Sequence, residues 1–128
     1  MARILIIEDS SYQRAKICRI LETETHEVLQ ATNGREGLQM ILKNTPDCIF
    51  LDLIMPEIGG LEVLQNLRDW GLSIPVIVLT ADIQETTRRH CLELGATAFV
   101  NKPAQETEFR AALAQALSSS AMSKGAIQ

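Results

Sequence analysis

Arg3-Ile4-Leu5-Ile6-Ile7-Glu8-Asp9 decides the fold: a short, continuously apolar, β-branched run that stops abruptly on two acids. Apolar residues at consecutive positions rather than alternate ones require cover on both faces, which is the condition of a strand inside a parallel sheet. Working outward, the same pattern recurs at Cys48-Ile49-Phe50-Leu51, Val76-Ile77-Val78-Leu79 and Thr97-Ala98-Phe99-Val100. Glu27-Val28-Leu29-Gln30-Ala31 mixes polar and apolar residues and suits an edge strand, one side partly wet.

Between these runs the apolar residues take helical spacing. Ile17, Ile20 and Leu21 mark a first helix; Leu38, Ile41 and Leu42 a second; Leu61, Leu64 and Leu67 a third; Cys91 and Leu94 a fourth; Phe109, Ala112, Leu113, Ala116 and Leu117 a fifth. Asn33-Gly34, read as a turn, Gly59-Gly60, Gly71, Gly95 and Pro103 punctuate the segments. Strict alternation of five strands with five helices predicts an α/β, doubly wound parallel sheet with helices on both faces. On pattern alone two strand orders are open, and no GxGxxG stretch favours a dinucleotide fold. The domain is expected over 1–118, with 119–128 a tail or the start of a linker, because the apolar period ends there.

The chain of 128 residues carries a net charge of −4 and a pI near 5.1, so it has no basic stripe with which to grip a phosphate backbone, and no direct nucleic-acid binding by this domain is expected. Cys18, Cys48 and Cys91 are widely spaced in apolar surroundings, which suits buried thiols in a reducing cytoplasm. The absence of a long apolar stretch gives no expectation of a membrane role.

Ligands of parallel α/β sheets bind beyond the carboxyl ends of the strands. Those ends carry Glu8-Asp9, Asp52, Thr80 and Asn101-Lys102. Converging carboxylates repel one another unless a cation joins them, and oxygen-only donors suit Mg²⁺ rather than zinc. A lysine and a hydroxyl beside them complete a set suited to phosphoryl transfer, with an aspartate as the nucleophile. Taken singly, each has a blander fate: Asp9 or Ser10 as a helix cap, Asp52 as a turn residue, Thr80 as a strand-end hydroxyl, Lys102 as a solvated cation.

Their order along the chain closely resembles the receiver domains of two-component response regulators: Glu8-Asp9, then Asp52 with Met55-Pro56 and Gly59-Gly60, then Leu79-Thr80-Ala81, then Lys102-Pro103. The resemblance implies a flavodoxin-like sheet in the order 2-1-3-4-5. It implies that Asp52 takes a phosphoryl group from a sensor histidine kinase or a histidine phosphotransfer protein. Asp9, Asp52 and the backbone carbonyl of Ile54 would ligate Mg²⁺, with Glu8 acting through a water. Lys102 would pair with phosphoryl oxygens, while Thr80 and Phe99 would pass the change to the surface of the fourth helix, fifth strand and fifth helix, for a downstream target, an output domain or a phosphorylation-dependent homodimer. It also implies a cis bond before Pro103 and a cytoplasmic signalling switch, not a substrate-turning enzyme.

Four positions depart from the family pattern or tune it. Ala104 replaces a larger apolar residue, Phe99 lacks a tyrosine hydroxyl, and Ile54 and Asp82 flank the route of an attacking water. An enzyme alternative is a haloacid-dehalogenase-like phosphatase, but Asp52 is followed by Leu53-Ile54 and not by an acid two residues on. A phosphorylation-independent scaffold is the third reading, opposed by the presence of every acidic, hydroxyl and lysine position.

Overall fold

The computed structural model describes residues 2–81 and 84–127, with side chains of the last helix described as far as residue 118. Asp82 lies outside the described residues. Five strands, β1 (Arg3–Ile7), β2 (Glu27–Ala31), β3 (Cys48–Asp52), β4 (Val76–Thr80) and β5 (Ala98–Asn101), alternate with five helices, α1 (Ser11–Glu22), α2 (Gly34–Asn44), α3 (Gly60–Asp69), α4 (Glu85–Glu93) and α5 (Glu106–Ile127). The strands are parallel in the order β2-β1-β3-β4-β5.

Because side chains alternate across a strand, each strand feeds two cores. Ile4, Ile6, Phe50, Ile77 and Leu79 pack with Ile17, Leu21, Phe109 and Leu113, placing α1 and α5 on one face. Leu5, Ile7, Leu51 and Val78 pack with Ile41, Val63, Leu64 and Cys91, placing α2, α3 and α4 on the other. Each such side chain, withdrawn fully from water, contributes about 1.5–3 kcal/mol before conformational entropy is counted. All three cysteines are buried, and burial pushes the Cys48 thiol up to about 12, so these groups are core filling.

Several local readings are corrected. Leu42, read as part of the apolar series of the second helix, is 61% exposed, because α2 meets the core through Gly34, Gly37 and Ile41 with Leu38 and Met40 partly buried. Thr97 precedes β5, which instead ends on Asn101. Asn33 does more than turn the chain: its side chain accepts from Glu36 N–H at 2.8 Å and caps α2, while Glu36 reaches back to Thr32 N–H at 3.2 Å. Trp70 is the C-cap of α3 and 40% exposed. Gly71 and Gly95, at φ +71° and +102°, turn the chain after α3 and α4. Helix α5 runs from Glu106 to Ile127. No helix among the described residues is long and apolar enough to cross a membrane.

Candidate phosphoacceptor and metal site

The register assembles the site. Ile7 lies opposite Leu51 and Asp52 opposite Leu79, so Glu8 leaves β1 beside Asp52, and Thr80 lies one step beyond. Thr80 is paired with Asn101, which brings Lys102 to the same rim, and Lys102 N–H donates to the Thr80 carbonyl at 2.6 Å. Glu8, Asp9 and Asp52 each offer a carboxylate oxygen within 4.8 Å of the others. Glu8 and Asp52 are buried, as is Thr80, whereas Asp9 is exposed. The rim therefore combines two desolvated carboxylates with one that opens to solvent.

Lys102 is the cation among these acids. Its Nζ lies 3.0 Å from Glu8 Oε2 and 3.4 Å from Asp52 Oδ1. One ammonium between two carboxylates leaves negative charge in excess, and Asp52 registers it. Burial, the neighbouring Glu8 charge and a proton shared with Glu8 push its carboxyl from 3.8 up to about 6, against the opposing pull of Lys102 and the Ile54 N–H. Donors that are all oxygen, converge and carry surplus charge fit a hard divalent cation.

Turns on either side hold this arrangement. Ser10 takes the N-cap of α1, its hydroxyl accepting from Gln13 N–H at 3.3 Å, which leaves Asp9 free of capping. Behind Asp52, a Cβ at Gly60 would stand 2.7 Å from the Asp52 carbonyl oxygen and 2.8 Å from Leu53 Cα, so glycine lets α3 start directly against the strand end. The Lys102–Pro103 peptide is cis. Ala104 is buried in the core cluster shared with α1 and α5, so its small side chain is used for packing.

Ile54 stands 80% exposed beside the acids, an apolar flank to an otherwise polar rim. Phe99 is half-buried against the α2–α4 core, and the Arg88 guanidinium covers its ring at 4.6 Å from the centroid. His26 is occupied structurally, its Nδ1 accepting from Ala2 N–H at 3.1 Å, and His90 is exposed on α4. One site neighbour escaped the sequence reading. Arg14, which looks like any helix-surface arginine, donates from Nη1 to the Glu8 carbonyl at 2.8 Å.

The chain is similar to known proteins over most of its length. PilH of Pseudomonas aeruginosa is 37% identical over 108 residues, covering 83% of this chain and 89% of PilH. A transcriptional regulatory protein of Picosynechococcus is 42% identical over 109 residues, covering 80% of this chain and 43% of that protein, and SrrA of Staphylococcus aureus is 38% identical over 100 residues, covering 78% and 41%. The chain thus spans less than half the length of these two transcriptional regulators. Among solved structures, the Vibrio cholerae chemotaxis protein CheY4 superposes with a TM-score of 0.86 at 28% identity, over 91% of this chain and 99% of that one. With the response regulator receiver domain also matching residues 4–114, the chain belongs to the receiver-domain family of two-component response regulators, which are phosphorylation-activated signalling switches.

Proposed function

We propose that Asp52 is the phosphoacceptor of this switch, charged by the phosphohistidine of a sensor kinase or a histidine phosphotransfer protein. The observation that carries the reading is the convergence of Asp52 with Glu8 and Asp9 within 4.8 Å, under a lysine that touches two of the three. In the reaction an Asp52 carboxylate oxygen attacks phosphorus, an acyl-phosphate bond forms as the P–N bond breaks, and the imidazole leaves with the bond's electron pair and a proton from solvent. Lys102 turns its ammonium from the carboxylates to the incoming phosphoryl oxygens. Thr80, buried at the adjacent strand end, donates its hydroxyl to another. Asp9, Asp52 and the Ile54 carbonyl, with Glu8 through a water, would hold Mg²⁺, which would neutralise charge gathered on the phosphoryl group.

The output follows from neighbours of Thr80. Its movement toward the phosphoryl oxygen opens space for Phe99 and reshapes the α4–β5–α5 surface, which meets a downstream target, an output domain or a second phosphorylated copy. Residues 1–118 form the receiver unit, and the setting is the cytoplasm. Beryllofluoride, a phosphoryl mimic, should bind the wild type in the presence of Mg²⁺ and leave Asp52→Asn untouched. Thr80→Ala should still bind it, with the amide resonances of Phe99 and α4 in an NMR titration moving far less than in the wild type. Equal movement in the two proteins would contradict the relay.

A further inference from the structure

Asp9 is held differently from its two partners. The Glu8 carboxylate is anchored by the Ser10 N–H at 3.3 Å and by Lys102 at 3.0 Å, and Asp52 by Lys102 at 3.4 Å. The Asp9 carboxylate is exposed and makes no hydrogen bond or ion pair among the described residues, so the backbone sets the direction in which its side chain leaves the chain.

Two side chains grip that backbone: the Glu8 carboxylate accepts from the Ser10 N–H, and Arg14 holds the carbonyls on both sides of Asp9. Arg14 Nη1 donates to the Glu8 carbonyl at 2.8 Å and reaches the Asp9 carbonyl at 3.4 Å, while Nε donates to Gln30 Oε1 on β2 at 3.3 Å. The two carbonyls belong to the peptides on either side of the Asp9 Cα. Fixing both planes fixes the direction of the Asp9 Cα–Cβ bond, and the planar guanidinium lets Nη1 hold the carbonyls while Nε holds Gln30.

We infer that Arg14 is a positioning residue for the divalent-cation site, aiming Asp9 through its backbone while the contact to Gln30 holds the guanidinium against the sheet edge. The inference rests on the metal reading above. Position and charge make opposite demands here: a nearby cation repels Mg²⁺, so an arginine acting by charge alone weakens binding, whereas one that aims a ligand strengthens it.

Calorimetric titration of Mg²⁺ into the wild type, Arg14→Gln and Arg14→Lys separates these. Arg14→Gln should bind Mg²⁺ roughly tenfold more weakly, the loss usual for outer partners of metal ligands. Arg14→Lys, which keeps the charge but not the fork, should fall between the two. Amide exchange at Asp9 in the metal-free protein should quicken in Arg14→Gln. Mg²⁺ binding by Arg14→Gln that equals or exceeds the wild type would overturn the inference alone, and if that variant does not fold, wild-type affinity in Arg14→Lys would do so. A wild type that takes up no Mg²⁺ would overturn the metal reading and this inference with it.

Discussion

Asp52→Asn should make the metal-free protein more stable at pH 7, by about 3 kcal/mol. The carboxyl is pushed from 3.8 up to about 6 by burial first and by Glu8 second. Each pH unit of such displacement corresponds to about 1.4 kcal/mol. The folded state holds the Asp52 proton more tightly than the unfolded chain does. Stability from that proton is therefore complete below pH 3.8 and is lost as pH rises through about 6. Asparagine cannot ionise, so the advantage of the variant should be small at pH 4, grow across the interval and level off above it. Urea unfolding of both proteins at a series of pH values reads this directly, and a constant difference across the series would contradict it. Saturating Mg²⁺ should shrink or reverse the ranking, because it stabilises only the protein that retains the ligand.

Lys102→Ala should act in the opposite direction, destabilising the metal-free protein at pH 7 by about 3 kcal/mol, the range found when one partner of a buried ion pair is removed. The ammonium is the only cation within ion-pair distance of Glu8 and Asp52 among the described residues, and both acids are almost completely buried. Without it, Asp52 loses the main influence holding its carboxyl down and takes up a proton closer to neutrality. The deficit should accordingly narrow as pH falls. Mg²⁺ should restore part of it by returning positive charge to the same place. Thermal melts of the variant with and without Mg²⁺ at two pH values check both statements; a deficit that ignores pH and Mg²⁺ alike would mean that the lysine stem, not its charge, supports the fold.

Much of this architecture was legible in the chain because parallel strands buried on both faces leave an unmistakable record. Ile4 to Ile7 and Val76 to Leu79 are short, β-branched and without polar interruption, as a strand covered on both faces requires. The helices were less clear where a stripe is narrow: Leu42 satisfies the period of α2 and still faces water, and Val63, a fully buried residue of α3, stands beside the Leu61–Leu64–Leu67 series without belonging to it. The acids, Thr80 and Lys102 could be found because strand ends in such a sheet face one region of space. Arg14 could not. Its partners are backbone carbonyls, which every residue possesses, so no side-chain pattern announces the contact.

The role of Asp52 is tested most directly by intact mass after incubation with acetyl phosphate. With Mg²⁺, the wild type should gain the mass of a single phosphoryl group, the gain should vanish when Mg²⁺ is chelated, and Asp52→Asn should gain nothing under any condition. Equal phosphorylation of the wild type and Asp52→Asn would contradict the assignment of Asp52 as the acceptor.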